Sequence, residues 1–176
     1  MTKQNNIREV LVNHPIIPVV TFNSLDEVDA KIDLLLKNDV NCIEITLRTP
    51  VAYDAIQKVK EKYGNEITVG MGTVVLEAQI HKAIKLQVDF MVSPGLHSGL
   101  AQQLMDSKIA FIPGVATPSD IINGLQFEWD TFKFFPAYLF GGSQAVFGAP
   151  GAHEQMEGRF FCTCVRRCAS GNGFVS

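Results

Sequence analysis

The chain has 176 residues, 47% of them hydrophobic and 19% charged, with a net charge of −3. That size and balance fit one globular domain with a substantial core, and they give no electrostatic reason to expect nucleic acid or an anionic membrane as partner. The opening residues Met1-Thr2-Lys3-Gln4-Asn5-Asn6 are polar and no apolar run reaches membrane-spanning length, so no secretory signal or transmembrane helix is expected and the chain reads as cytoplasmic.

Residues Asn5–Val12 read as a helix ahead of the first strand. From residue 16 onwards, strand-like runs at Ile16–Phe22, Cys42–Leu47, Thr68–Val74, Asp89–Pro94, Ala110–Val115 and Phe132–Ala137 alternate with helical patterns, a regular beat of βα units. Ser24-Leu25-Asp26-Glu27 predicts a capping box for a helix carrying Leu25, Val28, Ile32, Leu35 and Leu36 at helical spacing. Thr117-Pro118-Ser119-Asp120 offers an N-cap threonine, a proline at the first helical position and an acid in the first turn.

Six such units predict a parallel β/α fold with both sheet faces covered. A doubly wound open sheet would favour a glycine-rich phosphate turn after the first strand, and Thr21-Phe22-Asn23-Ser24 is not one. Polar residues gather instead at the C-terminal ends of several strands: Glu44, Thr46 and Arg48, then Thr73, Ser93 and Lys133. That distribution predicts the mouth of a TIM-type (β/α)8 barrel. The strand count is short, because Arg159–Val165 is the one further strand candidate and the composition changes after about Val146. The expectation is an incomplete barrel body over residues 1–146, with about six βα units, and an aberrant or disordered tail over 147–176. Strands one and six would then carry unpaired edges, which favours low stability and association.

Lys133 sits in Thr131-Phe132-Lys133-Phe134-Phe135-Pro136-Ala137, where alternation places Lys133 and Phe135 on one face and Phe132 and Phe134 on the other. A lysine kept from water in such a segment is a nucleophile for carbonyl carbons. The competing explanation is a stem packed on phenylalanine with its head in solvent. Glu44 and Arg48 share the inward face of Cys42–Arg48, opposite Ile43, Ile45 and Leu47. A carboxylate there can move protons and a guanidinium can clamp a substrate carboxylate. Gly70-Met71-Gly72-Thr73 would let a ligand approach the backbone and adds a hydroxyl at a strand end, whereas turn chemistry explains Ser93-Pro94-Gly95 and Pro113-Gly114. With Glu44, Arg48 and Thr73 aimed at one mouth, the catalytic explanation of Lys133 is the better one. The four histidines are scattered, and Cys162, Cys164 and Cys168 lack a fourth ligand, so neither a metal nor another cofactor is expected.

Taken together, Glu44-Ile45-Thr46-Leu47-Arg48-Thr49, Gly70-Met71-Gly72-Thr73-Val74, Ser93-Pro94-Gly95, Ile112-Pro113-Gly114-Val115 and Lys133-Phe134-Phe135-Pro136-Ala137 resemble the 2-keto-3-deoxy-6-phosphogluconate (KDPG) and 4-hydroxy-2-oxoglutarate (KHG) aldolases. The match runs in order from about Pro18 to Gly142. The resemblance implies a metal-free class I aldolase of carbohydrate metabolism on a (β/α)8 barrel, usually a homotrimer. It implies Lys133 as the Schiff-base lysine and Glu44 as general acid and base. It further implies Arg48 and Thr73 as holders of the pyruvate carboxylate, and Pro94 and Phe135 as pocket walls. The substrates implied are small keto acids: pyruvate and a phosphorylated keto-deoxy sugar acid, or 4-hydroxy-2-oxoglutarate. The family's phosphate-binding turns have no counterpart after Gly142, and Tyr138 replaces a polar or acidic residue. The alternative is therefore an impaired fragment acting at most as a pyruvate-binding or structural module, with weak turnover of phosphorylated substrate.

Overall fold

The computed structural model describes residues 4–141 and 159–162. Helix α1 (Ile7–Asn13) precedes strand β1 (Val19–Val20), and the chain then runs α2 (Glu27–Lys37), β2 (Cys42–Thr46), α3 (Ala52–Tyr63), β3 (Thr68–Gly72), α4 (Glu77–Lys85) and β4 (Phe90–Val92). It continues with α5 (Ala101–Asp106), β5 (Ala110–Ile112), β6 (Gly114–Val115), α6 (Pro118–Gln126), β7 (Thr131–Phe134) and β8 (Arg159–Cys162). Every pairing is parallel, in the order β1-β2-β3-β4-β5 and β6-β7-β8. The predicted strand Ala110–Val115 is present but divided. Pro113 separates β5, which pairs with β4, from β6, which pairs with β7. Pro113-Gly114 is thus an interruption inside a barrel strand, where proline has no N–H to give, and not the turn its composition suggested.

The candidate strand Arg159–Val165 is met by β8, in register Thr131↔Arg159 to Phe134↔Cys162. The sixth predicted strand is therefore no open edge, since β7 is paired on both sides. The barrel type stands, with seven strand positions among the described residues. Apart from 159–162, the expected tail over 147–176 lies outside the described residues, as do Cys164 and Cys168.

Alternation divides the core into two clusters. Ile43, Ile45, Val69, Met71, Met91, Phe111 and Phe132 point outward, where they pack with Val28, Ile32, Ile56 and Ile80 of the surrounding helices. Cys42, Phe90, Val92, Ala110 and Ile112 point inward and meet Ile7 of α1, with Val10, Leu11 and Ile17 packed against them. Helix α1 thus closes the floor of the barrel. Burying Ile7, 1% exposed, contributes about 1.5–3 kcal/mol to that closure.

Four of the six helix-to-strand turns repeat one conformation. Asp39, Gln87, Lys108 and Glu128 each stand two residues past a helix end with φ of 57, 52, 59 and 59°. Three of these turns donate back in the double pattern of a Schellman motif, such as Asp39 N–H to Leu36 O and Val40 N–H to Leu35 O. None uses glycine, so the left-handed residue was not visible in composition.

The capping expectations fared differently. Thr117 is the N-cap as expected, and the first-turn acid closes a full box: Thr117 Oγ1 accepts from Asp120 N–H at 3.3 Å and the Asp120 carboxylate accepts from Thr117 N–H at 2.9 Å. Ser24 makes no such box. Its hydroxyl accepts from Asp26 N–H at 3.2 Å in a local turn, while Glu27 pairs with Lys31 one turn along the helix.

Candidate active site

Strand β2 carries Glu44 and β7 carries Lys133, 89 residues apart in sequence and facing each other across the barrel interior. Lys133 Nζ donates to Glu44 Oε2 at 3.1 Å and Oε1 at 3.2 Å, with the two side chains only 6% and 4% exposed. The solvent-reaching explanation of Lys133 is excluded by that burial. Phe132 faces the outer core, while Lys133 Nζ lies 5.3 Å from the centre of the Phe135 ring, as alternation requires.

Register explains how the strands hold the pair. Lys133 is the ladder partner of Gly114, and its N–H donates to Pro113 O at 2.9 Å. A methyl group on Gly114 would stand 2.3 Å from Pro94 O, so glycine there lets the Pro94 segment close over the strand that faces Lys133. The two glycines of β3 have similar duties. A Cβ at Gly72 would stand 2.3 Å from Glu44 Oε1, and one at Gly70 would stand 2.2 Å from the Phe90 ring. These glycines make room for the carboxylate and for Phe90, a more specific role than the ligand approach expected of them.

Thr73 follows Gly72 directly, half-buried, with φ 66°, a conformation costly for a β-branched residue and concentrated at functional sites. Arg48 is exposed at the same end, and its side chain has no partner among the described residues. The structure thus gathers Lys133, Glu44 and Phe135 in direct contact, with Thr73 and Pro94 beside them through Gly72 and Gly114. Arg48 is at the mouth but outside that contact.

Two features were not legible beforehand. Thr46, fully buried one step above Glu44 on the same face, shares a 2.7 Å hydroxyl contact with Thr21 that ties the tops of β1 and β2 together. Below Glu44, the Cys42 thiol is pushed up to about 12, chiefly by burial, so it is a neutral filler and not a second nucleophile. Ile7, Leu11, Ile17, Phe90, Val92 and Ile112 line a small apolar cavity beneath the ion pair. Among the described residues no three His, Cys, Asp or Glu side chains converge as metal ligands. The arrangement offers a buried amine, an adjacent proton carrier and, at the rim, a cation unpaired among the described residues, which suits covalent chemistry on a carboxylate-bearing carbonyl compound.

Comparison with known proteins leads to the same chemistry. The family model described as KDPG and KHG aldolase matches residues 7–164. The 2-dehydro-3-deoxy-phosphogluconate aldolase of Zymomonas mobilis is 34% identical over 157 residues, covering 89% of this chain and 73% of that protein. The KHG/KDPG aldolase of Escherichia coli K12 is 31% identical over 159 residues, covering 90% and 73%. Among solved structures, the KDPG aldolase of Legionella pneumophila, with pyruvate captured at low pH as a covalent carbinolamine intermediate, superposes with a TM-score of 0.80 at 32% identity. It covers 90% of this chain and 75% of its own. The Zymomonas mobilis ZM4 enzyme with 3-phosphoglycerate gives a TM-score of 0.83 at 34% identity, covering 91% and 75%.

Proposed function

Since the chain belongs to the KDPG and KHG aldolase family, we propose that it is a class I aldolase, an aldehyde-lyase that works through a Schiff base on Lys133. Its reaction cleaves 2-keto-3-deoxy-6-phosphogluconate to pyruvate and glyceraldehyde 3-phosphate, 4-hydroxy-2-oxoglutarate to pyruvate and glyoxylate, or both. The observation that carries the reading is the buried contact of Lys133 Nζ with both Glu44 oxygens.

The amine of Lys133 adds to the C2 carbonyl of the keto acid. Starting from the ammonium–carboxylate pair, Glu44 takes a proton from Lys133 before the addition and passes it to the carbonyl oxygen. It then takes a second from the carbinolamine nitrogen and passes it to the same oxygen, which leaves as water to give the iminium. In the iminium, Glu44 removes the proton of the C4 hydroxyl and the C3–C4 bond breaks. Its electron pair passes into an enamine and C4 departs as the aldehyde. Protonation at C3 and hydrolysis release pyruvate and free Lys133. The iminium serves as the electron sink, and a carboxylate within hydrogen-bond reach contributes roughly 10²–10⁴-fold as general acid and base. Arg48, exposed at the rim, and the Thr73 hydroxyl hold the substrate carboxylate, and Pro94 and Phe135 wall the keto carbon.

Borohydride reduction in the presence of pyruvate, followed by peptide mapping with Lys133→Ala as control, tests this. The expected product is a reduced adduct on Lys133. Folded wild-type protein without an adduct would leave the impaired-fragment alternative. A cytoplasmic location and a homotrimer belong to the same reading; among the described residues no helix is long and apolar enough to cross a membrane. Light scattering that reads three chains supports the trimer, and a single chain overturns it.

A further inference from the structure

Gln4 is a fully buried polar residue that the proposed chemistry does not use. Its carboxamide lies between β5 and β7, two residues below Lys133 on β7. The parallel ladder of β6 and β7 explains why it is there. Lys133 N–H donates to Pro113 O and Phe135 N–H to Val115 O. One rung lower, the same ladder would have Thr131 N–H donate to Phe111 O and Thr131 O accept from the N–H of residue 113. That residue is proline and cannot donate. The Thr131 carbonyl would be left without a donor at the base of the strand that carries the lysine.

The Gln4 side chain fills that rung. Its Nε2 donates to Thr131 O at 2.7 Å and to Phe111 O at 3.5 Å, and its Oε1 accepts from Thr131 N–H at 3.0 Å and Asp130 N–H at 2.9 Å. One carboxamide thus substitutes for a peptide group and joins the two sheets where their own ladder stops. Lys133 follows Thr131 on the same face, about 7 Å further along the strand.

We propose that Gln4 is a positioning residue of the aldolase reaction: it completes the broken rung beside Pro113 and so sets the height and twist at which β7 presents Lys133 Nζ to Glu44. This rests on the Schiff-base reading. Arg8 makes the useful contrast, because its ion pair with Asp130 and its bond to Thr131 Oγ1 hold α1 to the same strand through side chains alone.

The test uses the full chain as wild type, Gln4→Ala, Gln4→Ala/Pro113→Ala and Arg8→Ala. The rate of borohydride trapping of pyruvate on Lys133 is measured together with amide hydrogen exchange at Thr131 and Lys133. Gln4→Ala is expected to slow trapping roughly tenfold to a hundredfold, as a sub-ångström to ångström displacement of a reacting group does, at an unchanged half-saturating pyruvate concentration. It is also expected to lose protection at the Thr131 amide. Pro113→Ala in the same chain restores a donor at residue 113 and should recover both readouts. A Gln4→Ala chain that folds only with Pro113→Ala overturns the role, since the rung would then serve folding. Arg8→Ala should lower Tm and leave the trapping rate of the folded protein intact. A folded Gln4→Ala chain trapping at the wild-type rate overturns the proposal. So does a chain that neither folds nor is rescued by Pro113→Ala, since Gln4 would then serve folding alone. Wild type that traps nothing while its Thr131 amide is protected through Gln4 strikes the aldolase reading first, and the positioning role falls with it.

Discussion

At the floor of the barrel, Gln4, Asn5, Arg8 and His14 direct their polar atoms into backbone or side-chain partners, from Gln4 on β7 to His14 between Asn41 and Thr68. At the mouth, the Lys133–Glu44 pair is desolvated, Thr73 is held at φ 66°, and Arg48 has no partner among the described residues. Both ends bury polar groups, yet those four floor residues are paired while the mouth sets an unpaired cation, among the described residues, beside a buried ion pair. Satisfied polar groups hold a fold together, whereas strained or unpaired groups beside a buried charge mark where a ligand is to complete the set.

That contrast can be broken at graded strengths. Glu44→Gln keeps the volume and a hydrogen bond to Lys133 but cannot carry the proton. The expected loss in steady-state cleavage is roughly 10²–10⁴-fold in kcat, and full activity would reduce Glu44 to a holder of the lysine. Gly72→Ala should come next. The added methyl collides with the Glu44 carboxylate, whereas in Gly70→Ala it collides with Phe90. Each should cost about 1–3 kcal/mol in denaturant unfolding, with the larger activity loss at Gly72 if the carboxylate position matters. Equal activities at equal stability would show that it does not.

Arg48→Ala should act on binding and leave stability nearly untouched, because the side chain is exposed. Losing a charge-assisted bond of about 1.5–3 kcal/mol predicts a tenfold to hundredfold rise in KM, with Tm as the control. The smallest effect is expected at the α6 cap, which touches neither Lys133 nor Glu44. Burial raises the Asp120 carboxyl, but the N–H groups of Ala116 and Thr117 outweigh it and hold the group below the usual carboxylate range. Its folded value being depressed, its stabilising contribution is present above the unfolded value near ~3.9 and is lost as pH falls through the lower folded value. Chemical denaturation should therefore separate wild type from Asp120→Asn at pH 7 and bring them together at strongly acidic pH. A difference that persists there would trace the cap to something other than its charge.

How legible the molecule was depended on the range of the interactions involved. The Thr117 cap formed as read because all its atoms lie within one helical turn. The Ser24 box did not form, since Glu27 found Lys31 on its own helix face. The left-handed turns at Asp39, Gln87, Lys108 and Glu128 carried no glycine to announce them. Pro113-Gly114 looked like a turn because composition does not distinguish a corner from a broken ladder.

By itself the sequence determined which face of each strand every residue occupies, for that follows from a two-residue period local to the backbone. Hence Glu44, Arg48, Thr73 and Lys133 could be placed at strand ends, and the barrel class inferred, before any contact was known. Only the tertiary structure decided that Lys133 meets Glu44 across 89 residues, that Gly72 exists to admit that carboxylate, and that Gln4 supplies the rung Pro113 cannot. Those are long-range facts of register and packing, set by how parallel strands align when their outward aliphatic faces are buried together, and no local period encodes them.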